Sequence, residues 1–188
     1  YQEKDLTSKP LLEMTPTPSK VVYEKYYKKI DATEWKLANG IRVVLKPTKF
    51  KENDIIFAAR SPGGTSLMDD EFFVSANRAV EVVDYNGIGN FDAIELGKKL
   101  SGKNLSIYPN ISYLTEGMKG SSTNEDLPTL FELIYLYFTE PRYDEEGFLN
   151  YLNKEKELLL NKKLEPKEAF SDLVTSKLYD DHYRARTW

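Results

Sequence analysis

Few side chains in this sequence are of the types that carry metal or nucleophilic chemistry. The chain contains one histidine, His182, and no cysteine. Zinc hydrolase motifs use at least two histidines, and a serine–histidine–aspartate triad needs a histidine beside its serine. The lack of cysteine also excludes disulfides, zinc fingers, iron–sulfur clusters and cysteine nucleophiles. The chain therefore cannot build a usual zinc hydrolase site from its own residues, and we assign it no catalytic residue, no metal ligand and no cofactor-binding residue.

The segment from Gly63 to Phe91 nevertheless has the layout of a helix that often carries catalytic groups. A glycine-rich turn precedes a polar spacer, and the acids Asp69-Asp70-Glu71 favour a helix start near the positive end of its dipole. Asn86-Gly87 predicts the end of the helix. Apolar residues at helical spacing predict its buried stripe: Phe72, Val74, Ala76, Ala79, Val80 and Val83.

Short strands are predicted on both sides of this helix. Asn39-Gly40 lies between two β-rich runs and predicts a hairpin, because both residues tolerate positive φ. A third strand is predicted over residues 54–64, and two antiparallel strands over 104–122. Between them a short second helix is predicted, with Asn90 as its cap. Its inward residues are expected to be Ile94, Leu96 and Leu100.

Longer helices are predicted in the second half of the chain. The first is capped by Asn124 or Thr123 and ends at Pro141. A second, with acids at its start and lysines at its end, runs to Pro166, and a third piece follows. The first has so little polar surface that we expect a central, buried helix, with its apolar residues at Leu127, Leu130, Phe131, Leu133, Ile134, Tyr137 and Phe138.

This order of elements predicts an α+β fold, with a mostly antiparallel sheet and helices packed on one face. Residues 1–30 are interpreted as a linker or lead-in from a preceding half, because three prolines alternate there with threonine and serine. Within it, residues 21–30 are either an edge strand or a strap docked on the domain. Residues 31–188 are predicted to form a single domain.

Composition excludes some kinds of partner. The net charge is −4 and the isoelectric point about 5.3, so nothing electrostatic favours nucleic acid. The tyrosines and lysines of residues 23–29 could contact a single strand, but an acidic chain disfavours that reading. No apolar run approaches the roughly 20 residues of a membrane helix, so no membrane span is expected.

The ordered set of motifs resembles one domain of the pitrilysin/insulinase family of zinc peptidases, whose fold is shared by mitochondrial processing peptidase. The resemblance covers roughly residues 30–180. It implies a two-layer, processing-peptidase-like domain, here without its last helix and strand. The motifs are "WKLANGIRVVLKPT" (35–48), "SPGGTSL" (61–67), "GIGNF" (87–91), "IELGKKLSGKNLSI" (94–107), "EGMKGSSTNEDLPTLFELIYLYFTEPRYD" (116–144) and "FLNYLNKEKELLLN" (148–161).

In the catalytic domain of that family, the helix after the glycine-rich turn carries an inverted zinc motif, H-x-x-E-H, and a later helix supplies a glutamate ligand. The matching positions are Asn77, Arg78, Ala79, Val80 and Glu81, with no histidine among them. Two acids, Glu155 and Glu157, lie on a later helix. We interpret them as surface acids that pair with Lys154, Lys156 or Lys162.

The resemblance therefore implies a non-catalytic domain, most like the third of four in large bacterial members. The chain alone would not be an enzyme, and its parent would be a zinc metalloendopeptidase with the zinc in another domain. Its partners would be other domains of the same chain and a peptide or unfolded-protein substrate. The compartment is not determined by the sequence, although relatives of this type are often exported. The alternative is a stand-alone structural or interaction module without peptidase activity.

Two further segments could act as sites. Gly63-Gly64 lacks the spacing of a phosphate-binding loop, so a tight turn is favoured. His182 could be a ligand completed by a partner, although a histidine in a polar terminal segment is more often solvated. Residues 181–188, "DHYRARTW", are rich in the tyrosine, arginine and tryptophan typical of interfaces and could contact another domain.

Overall fold

The computed structural model describes residues 8–185 of the chain. It divides into two compact units. One is Leu12–Asp54, and the other joins the described residues up to Leu11 to those from Ile55 onward. The predicted boundary at residue 31 and the predicted missing helix and strand remain predictions.

The smaller unit is a three-stranded antiparallel sheet, in the order β1 (Val21–Tyr27), β2 (Ala32–Leu37) and β3 (Arg42–Leu45). The predicted hairpin joins β2 to β3, and Gly40 takes the positive φ of 91° that its turn requires. Of the two readings of residues 21–30, the structure contains the edge strand: β1 pairs with β2 from Val21↔Leu37 to Tyr27↔Ala32.

The larger unit contains a second three-stranded sheet. Its strands are β4 (Ile55–Pro62), β5 (Leu105–Ile111) and β6 (Thr115–Ser122). The order is β4-β6-β5, and both pairings are antiparallel, as predicted for the last two strands. Alternation along β6 directs Glu116, Met118 and Gly120 to one face, where Met118 and Gly120 are buried.

Five helices belong to this unit, together with short 3₁₀ turns at Gly64–Leu67, Asp70–Phe72 and Tyr183–Ala185. The helices α3 and α1 contact the sheet, and α4 packs on α1. None of the helices in the described range is long and apolar enough to cross a membrane. The helices are α1 (Phe73–Asn86), α2 (Ala93–Lys99), α3 (Leu127–Thr139), α4 (Glu145–Lys162) and α5 (Pro166–Leu178).

The core of the larger unit is built on one face of α3. Leu130, Leu133 and Leu136 are at most 1% exposed, and Ile88 and Phe91 are fully buried. The predicted central, buried helix is buried on one face only, because Phe131 is 53% exposed and Phe138 is 65% exposed. Positions three apart share one helix face, so Leu130, Leu133 and Leu136 form the buried side of α3 and these two rings lie beside it, with Phe131 6.0 Å from Phe57 of β4 between ring centres.

Three predicted helix details are also corrected. The cap of α2 is Asp92, not Asn90: Asp92 Oδ1 accepts from the amide of Glu95 at 2.7 Å, in a capping box. Ile94 in its first turn is 74% exposed and does not face inward. The residue before α3 is Asp126 rather than Thr123 or Asn124, although its side chain makes no capping bond and Thr123 Oγ1 accepts from the Asp126 amide at 3.3 Å.

The start of α1 also differs from the prediction. The 3₁₀ turn Asp70–Phe72 precedes the helix, which begins at Phe73. Phe72 is therefore 54% exposed, and Phe73 is buried in its place. These details leave the class of the fold unchanged. The α+β prediction is confirmed, with the strands divided between two sheets.

Candidate functional site

The five motif positions Asn77 to Glu81 all lie on α1, and none of their side chains is arranged as a metal ligand. Asn77 Nδ2 donates to the carbonyl of Phe73 one turn earlier, at 2.8 Å. Ala79 and Val80 are apolar and line a groove. The remaining two, Arg78 and Glu81, belong to a polar network that joins α1 to α4.

We call this cluster the Arg78 network: Arg78 and Glu81 on α1, with Tyr151 and Glu155 on α4. Arg78 Nη1 lies 2.9 Å from Glu81 Oε2 and 3.5 Å from Glu155 Oε2. Tyr151, only 3% exposed, donates its hydroxyl to Glu81 Oε2 at 2.8 Å. One guanidinium thus stands between two carboxylates from two helices.

Electrostatics within the network favour an ionised Glu81. Burial raises the pKa of this carboxyl, but the hydrogen bonds from Tyr151 and Arg78 and the charge of Arg78 outweigh it, so its pKa lies below the ordinary value. Burial, followed by the bond to Glu81, raises the pKa of the Tyr151 hydroxyl. At neutral pH the network therefore contains a guanidinium, an ionised Glu81 and a neutral phenol.

The ion pair that Glu155 forms differs from the expected one, although, after the hydrogen bond to Tyr85, its charge still raises the pKa of the neighbouring Lys154. The ion pair of Glu155 is with Arg78, whereas Lys154 donates to the Tyr85 hydroxyl and lies 4.9 Å from the centre of that ring. Lys162 pairs with Asp172 at 3.5 Å. Spacing along α4 alone could not reveal this, because the partner of Glu155 lies on another helix. Glu157 is exposed, as expected of a surface acid.

Zinc does not fit these residues. A divalent cation between Glu81 and Glu155 would have to displace the guanidinium of Arg78, and Val80 supplies no donor. The side chain of Asn77 is committed to the helix backbone. Among residues 8–185, no group of three or more histidine, aspartate or glutamate side chains is close enough to hold a metal. We therefore derive no metal chemistry from this cluster.

A groove of about 200 Å³ lies on the sheet side of α1. We call it the α1–β5 groove. Its walls come from α1, β5, β6 and the end of α3, so the fold brings together four segments that are far apart in sequence. The lining residues are Ala79, Val80, Val83, Pro109, Asn110, Ile111, Glu116, Gly117, Met118, Tyr137 and Phe138.

A second polar pair borders this groove. Tyr137, which lines it, donates its hydroxyl to Asp84 Oδ1 at 3.2 Å. Burial raises the pKa of Asp84, and repulsion from Glu81 adds to that, against the opposing bond from Tyr137. Burial also raises the pKa of Tyr137, helped by the charge of Asp84. No sequence motif pointed to this pair, because its members lie on different helices.

His182, the chain's only histidine, is exposed near the end of the described chain. Its Nδ1 accepts from the backbone amide of Arg184 at 3.2 Å, in a cavity of about 180 Å³ formed with the end of α5. Of the predicted interface segment 181–188, residues 186–188 lie outside the described residues. Within it, Tyr183 lies 6.1 Å from Phe73, measured between ring centres.

Arg184 joins the C-terminal segment to the start of α1. The sequence did not predict this link, because the residues that it joins are far apart along the chain. Arg184 Nε lies 2.6 Å from Asp70 Oδ1, and its Nη2 donates to the carbonyl of Met68 at 2.6 Å. Its guanidinium also lies 4.9 Å from the centre of the Phe73 ring. These contacts hold the turn between β4 and α1 on which the motif helix depends.

Comparison with known proteins places this geometry in context. No protein-family model matches the chain. It is 22% identical over 171 residues to a PQQL-like zinc protease of Arabidopsis thaliana, and 27% identical over 136 residues to a probable zinc protease, PqqL, of Haemophilus influenzae. These alignments cover 89% and 72% of this chain but only 15% of each relative. The chain thus spans about 15% of the length of these relatives.

Solved structures show the fold. The ferredoxin protease FusC, a mutant solved with Arabidopsis ferredoxin, matches with a TM-score of 0.76 and 20% identity, over 89% of this chain and 18% of FusC. The periplasmic protease PqqL from Escherichia coli matches with a TM-score of 0.77 and 17% identity, over 95% of this chain and 20% of PqqL.

Proposed function

We propose that this chain, a pitrilysin-like domain by its fold and its relatives, is a non-catalytic domain of a larger zinc metallopeptidase. It helps to enclose and bind a peptide or unfolded-protein substrate that another domain cleaves. One observation carries the proposal. Among the residues that the resemblance matches to the family's metal motif, Arg78 is paired with Glu81 and also with Glu155 of α4.

The electrostatics of the network support a non-catalytic role. A water-activating base in this motif would stand at Val80, which has no titratable group. Arg78 and Tyr151 keep Glu81 ionised, and its carboxylate is engaged in the contact between α1 and α4. The network therefore stabilises the packing of α4 on α1, and this role requires no metal.

The relatives support a larger parent protein. Both are called zinc proteases, and this chain matches only 15% of each. Further domains in the parent chain would supply the zinc and the catalytic groups. One neighbour with the same fold is a periplasmic protease, so we extend the proposal to an exported parent. The rival is a stand-alone interaction module with the same fold and no peptidase partner domain.

Metal analysis of the purified 188-residue chain tests the proposal. After chelation and reloading with zinc, we expect less than about 0.1 zinc per chain, and no hydrolysis of an unfolded protein, because the ligand set is missing. Glu81→Gln and Glu155→Gln should leave both readings unchanged. Stoichiometric zinc that is lost in Glu81→Gln would refute the non-catalytic reading.

The full-length protein separates the proposal from its rival. We expect it to hydrolyse an unfolded protein, to lose that activity with a chelator, and to keep its zinc content when Glu81→Gln is introduced. A full-length protein without zinc or hydrolysis would instead support the stand-alone module.

A further inference from the structure

The walls of the α1–β5 groove are mostly apolar, and Glu116 is the one charged residue among those that line it. Val80, Val83 and Ile111 contribute aliphatic surface, and Phe138 contributes a ring that is 65% exposed. Because Phe138 and Ile111 remain accessible while Met118 beneath them is buried, the groove is open to solvent above a closed floor. An apolar side chain of an incoming segment can therefore bury surface against four separate elements.

The charged group in the lining is Glu116. It is half-buried, and its carboxylate accepts a hydrogen bond from the amide of Gly64. A Cβ at Gly63 would lie 2.8 Å from Glu116 Oε2, so the glycine turn leaves room for this carboxylate. Within residues 8–185, no lysine or arginine pairs with Glu116, and none lines the groove.

Further carboxylates lie close to the groove, on α1 and α4. Asp84 binds the hydroxyl of Tyr137, a lining residue, and is repelled by Glu81. The cation of the Arg78 network is engaged by Glu81 and Glu155. The carboxylate of Glu116 is therefore the charge that an incoming segment meets beside the apolar walls, and it attracts cations and disfavours acidic segments.

The strand beside the groove limits how a segment can bind. Just beyond the two ends of β5, Asn104 and Ser112 form backbone hydrogen bonds with Thr123 and Thr115, so these positions direct their backbone groups toward β6. By alternation, Ile107, Pro109 and Ile111 direct theirs toward the open edge. Pro109 has no N–H, so it interrupts the row of donors in the middle of that edge. A long added strand is disfavoured, and side-chain contacts must dominate the binding.

From these observations we propose that the α1–β5 groove binds a short unfolded segment in which an apolar side chain lies next to a lysine or arginine. The apolar side chain contacts Val83, Ile111 and Phe138, and the cation pairs with Glu116. This inference rests on the proposed function, since it names the class of segment that the substrate-binding surface prefers.

Binding of three fluorescent peptides to the 188-residue chain tests the inference. The peptides share their length and one apolar centre, flanked by lysine, glutamine or glutamate, and fluorescence anisotropy gives each Kd. We expect the lysine peptide to bind about fivefold more tightly than the glutamine peptide, as one partly exposed ion pair allows. The glutamate peptide should bind most weakly, and added salt should reduce these differences.

Two variants and one control test which residues contact the cation and the apolar side chain of the peptide. Glu116→Gln should remove the preference for lysine while the glutamine peptide still binds. Ile111→Gln should weaken all three peptides. Tyr108→Gln changes an exposed residue of the same strand on the opposite face and should change none of them. Circular dichroism of each variant confirms that it is folded.

Each other outcome overturns the inference in a distinct way. Equal binding of the three peptides would refute the charge preference but leave the substrate-binding function standing. No binding of any peptide would refute the inference and the substrate-binding part of the proposed function together, while the zinc experiment still tests the non-catalytic part. Self-association that competes with the peptides and is lost in Ile111→Gln would identify a second copy as the occupant.

Discussion

Arg78 on α1 and Glu155 on α4 form an ion pair, with Nη1 3.5 Å from Oε2. The same Nη1 lies 2.9 Å from Glu81, which also accepts the hydroxyl of Tyr151. The contact between α1 and α4 therefore includes an ion pair made by Arg78, one of the five residues that the resemblance matches to the family's metal motif.

Removal of the guanidinium should weaken this contact. We expect Arg78→Leu to lower the free energy of unfolding at pH 7 by about 1 kcal/mol, a value kept small because 47% of the Glu81 side chain is exposed. Urea denaturation measures the change. Arg60→Leu, on the exposed part of β4, is the matched control and should have little effect.

The effect of Arg78→Leu should depend on pH. The pKa of Glu81 is lowered in the folded state, so its contribution is present above its ordinary pKa and is lost as pH falls through the folded value. The difference between the two proteins should be largest near neutral pH and should disappear in acid. A constant difference across this range would contradict the assigned ion pair.

Asp84 and Asp144 should respond to neutralisation with opposite signs. Burial and then Glu81 raise the pKa of Asp84, so its ionisation costs stability as pH rises through the folded pKa. The amide of Gly147 and then Arg142 lower the pKa of Asp144, so its stabilisation is lost as pH falls. At pH 7, Asp84→Asn should stabilise the protein and Asp144→Asn should destabilise it, by urea denaturation.

Both differences should disappear in acid: that of Asp84 below its ordinary pKa, and that of Asp144 only below its lowered folded-state pKa, where each carboxyl is protonated in the folded and unfolded states. The asparagine at position 84 can still accept from Tyr137, so the comparison isolates the charge. Equal signs for the two variants at pH 7 would contradict the environments assigned to them.

Arg184 should stabilise the turn that precedes α1. It binds Asp70 and the carbonyl of Met68 and lies against Phe73, with 22% of its side chain exposed. We expect Arg184→Ala to cost about 2 kcal/mol, because it removes hydrogen bonds to a charged group. Arg184→Lys should cost less, because lysine can keep one of the two hydrogen bonds although it cannot make both at once.

Hydrogen exchange should locate the effect of these Arg184 variants. Faster exchange is expected in the turn Asp70–Phe72, whose Phe72 amide donates to the carbonyl of Asp69. Lys177→Ala, an exposed change on α5, should leave that exchange unchanged. If Arg184→Ala changed exchange only near α5, the assigned link between the two segments would be incorrect.

Two glycines should respond in opposite directions to alanine. Gly64 has a φ of 66°, and a Cβ there would lie 2.2 Å from the carbonyl oxygen of Ser112, so Gly64→Ala should cost at least about 2 kcal/mol. Gly97 lies inside α2, and a Cβ added there would meet no atom within 4 Å, so Gly97→Ala should stabilise by about 0.5–1 kcal/mol. Thermal unfolding distinguishes them, and a loss in Gly97→Ala would contradict this.

Several features were predictable from the sequence because they depend on neighbouring residues. The turn at Asn39-Gly40 is present as predicted, because Gly40 takes the positive φ that the turn requires and glycine adopts that conformation without strain. The acids that begin α4 lie at its first turn, where Asp144 accepts from the amide of Gly147 at 2.9 Å. The residue types also excluded cysteine chemistry and left His182 as the lone histidine.

Other features were decided by the tertiary structure, because they join residues far apart along the chain. The stripe on α3 predicted burial for Phe131 and Phe138, but the sheet covers the leucine side, and hydrophobicity alone does not say which face meets the sheet. The sequence alone determined that positions 77–81 lack a zinc motif. Only the packing of α4 on α1 decided that Arg78 meets Glu155 there, because side chains on different helices come within ion-pair distance only through that packing.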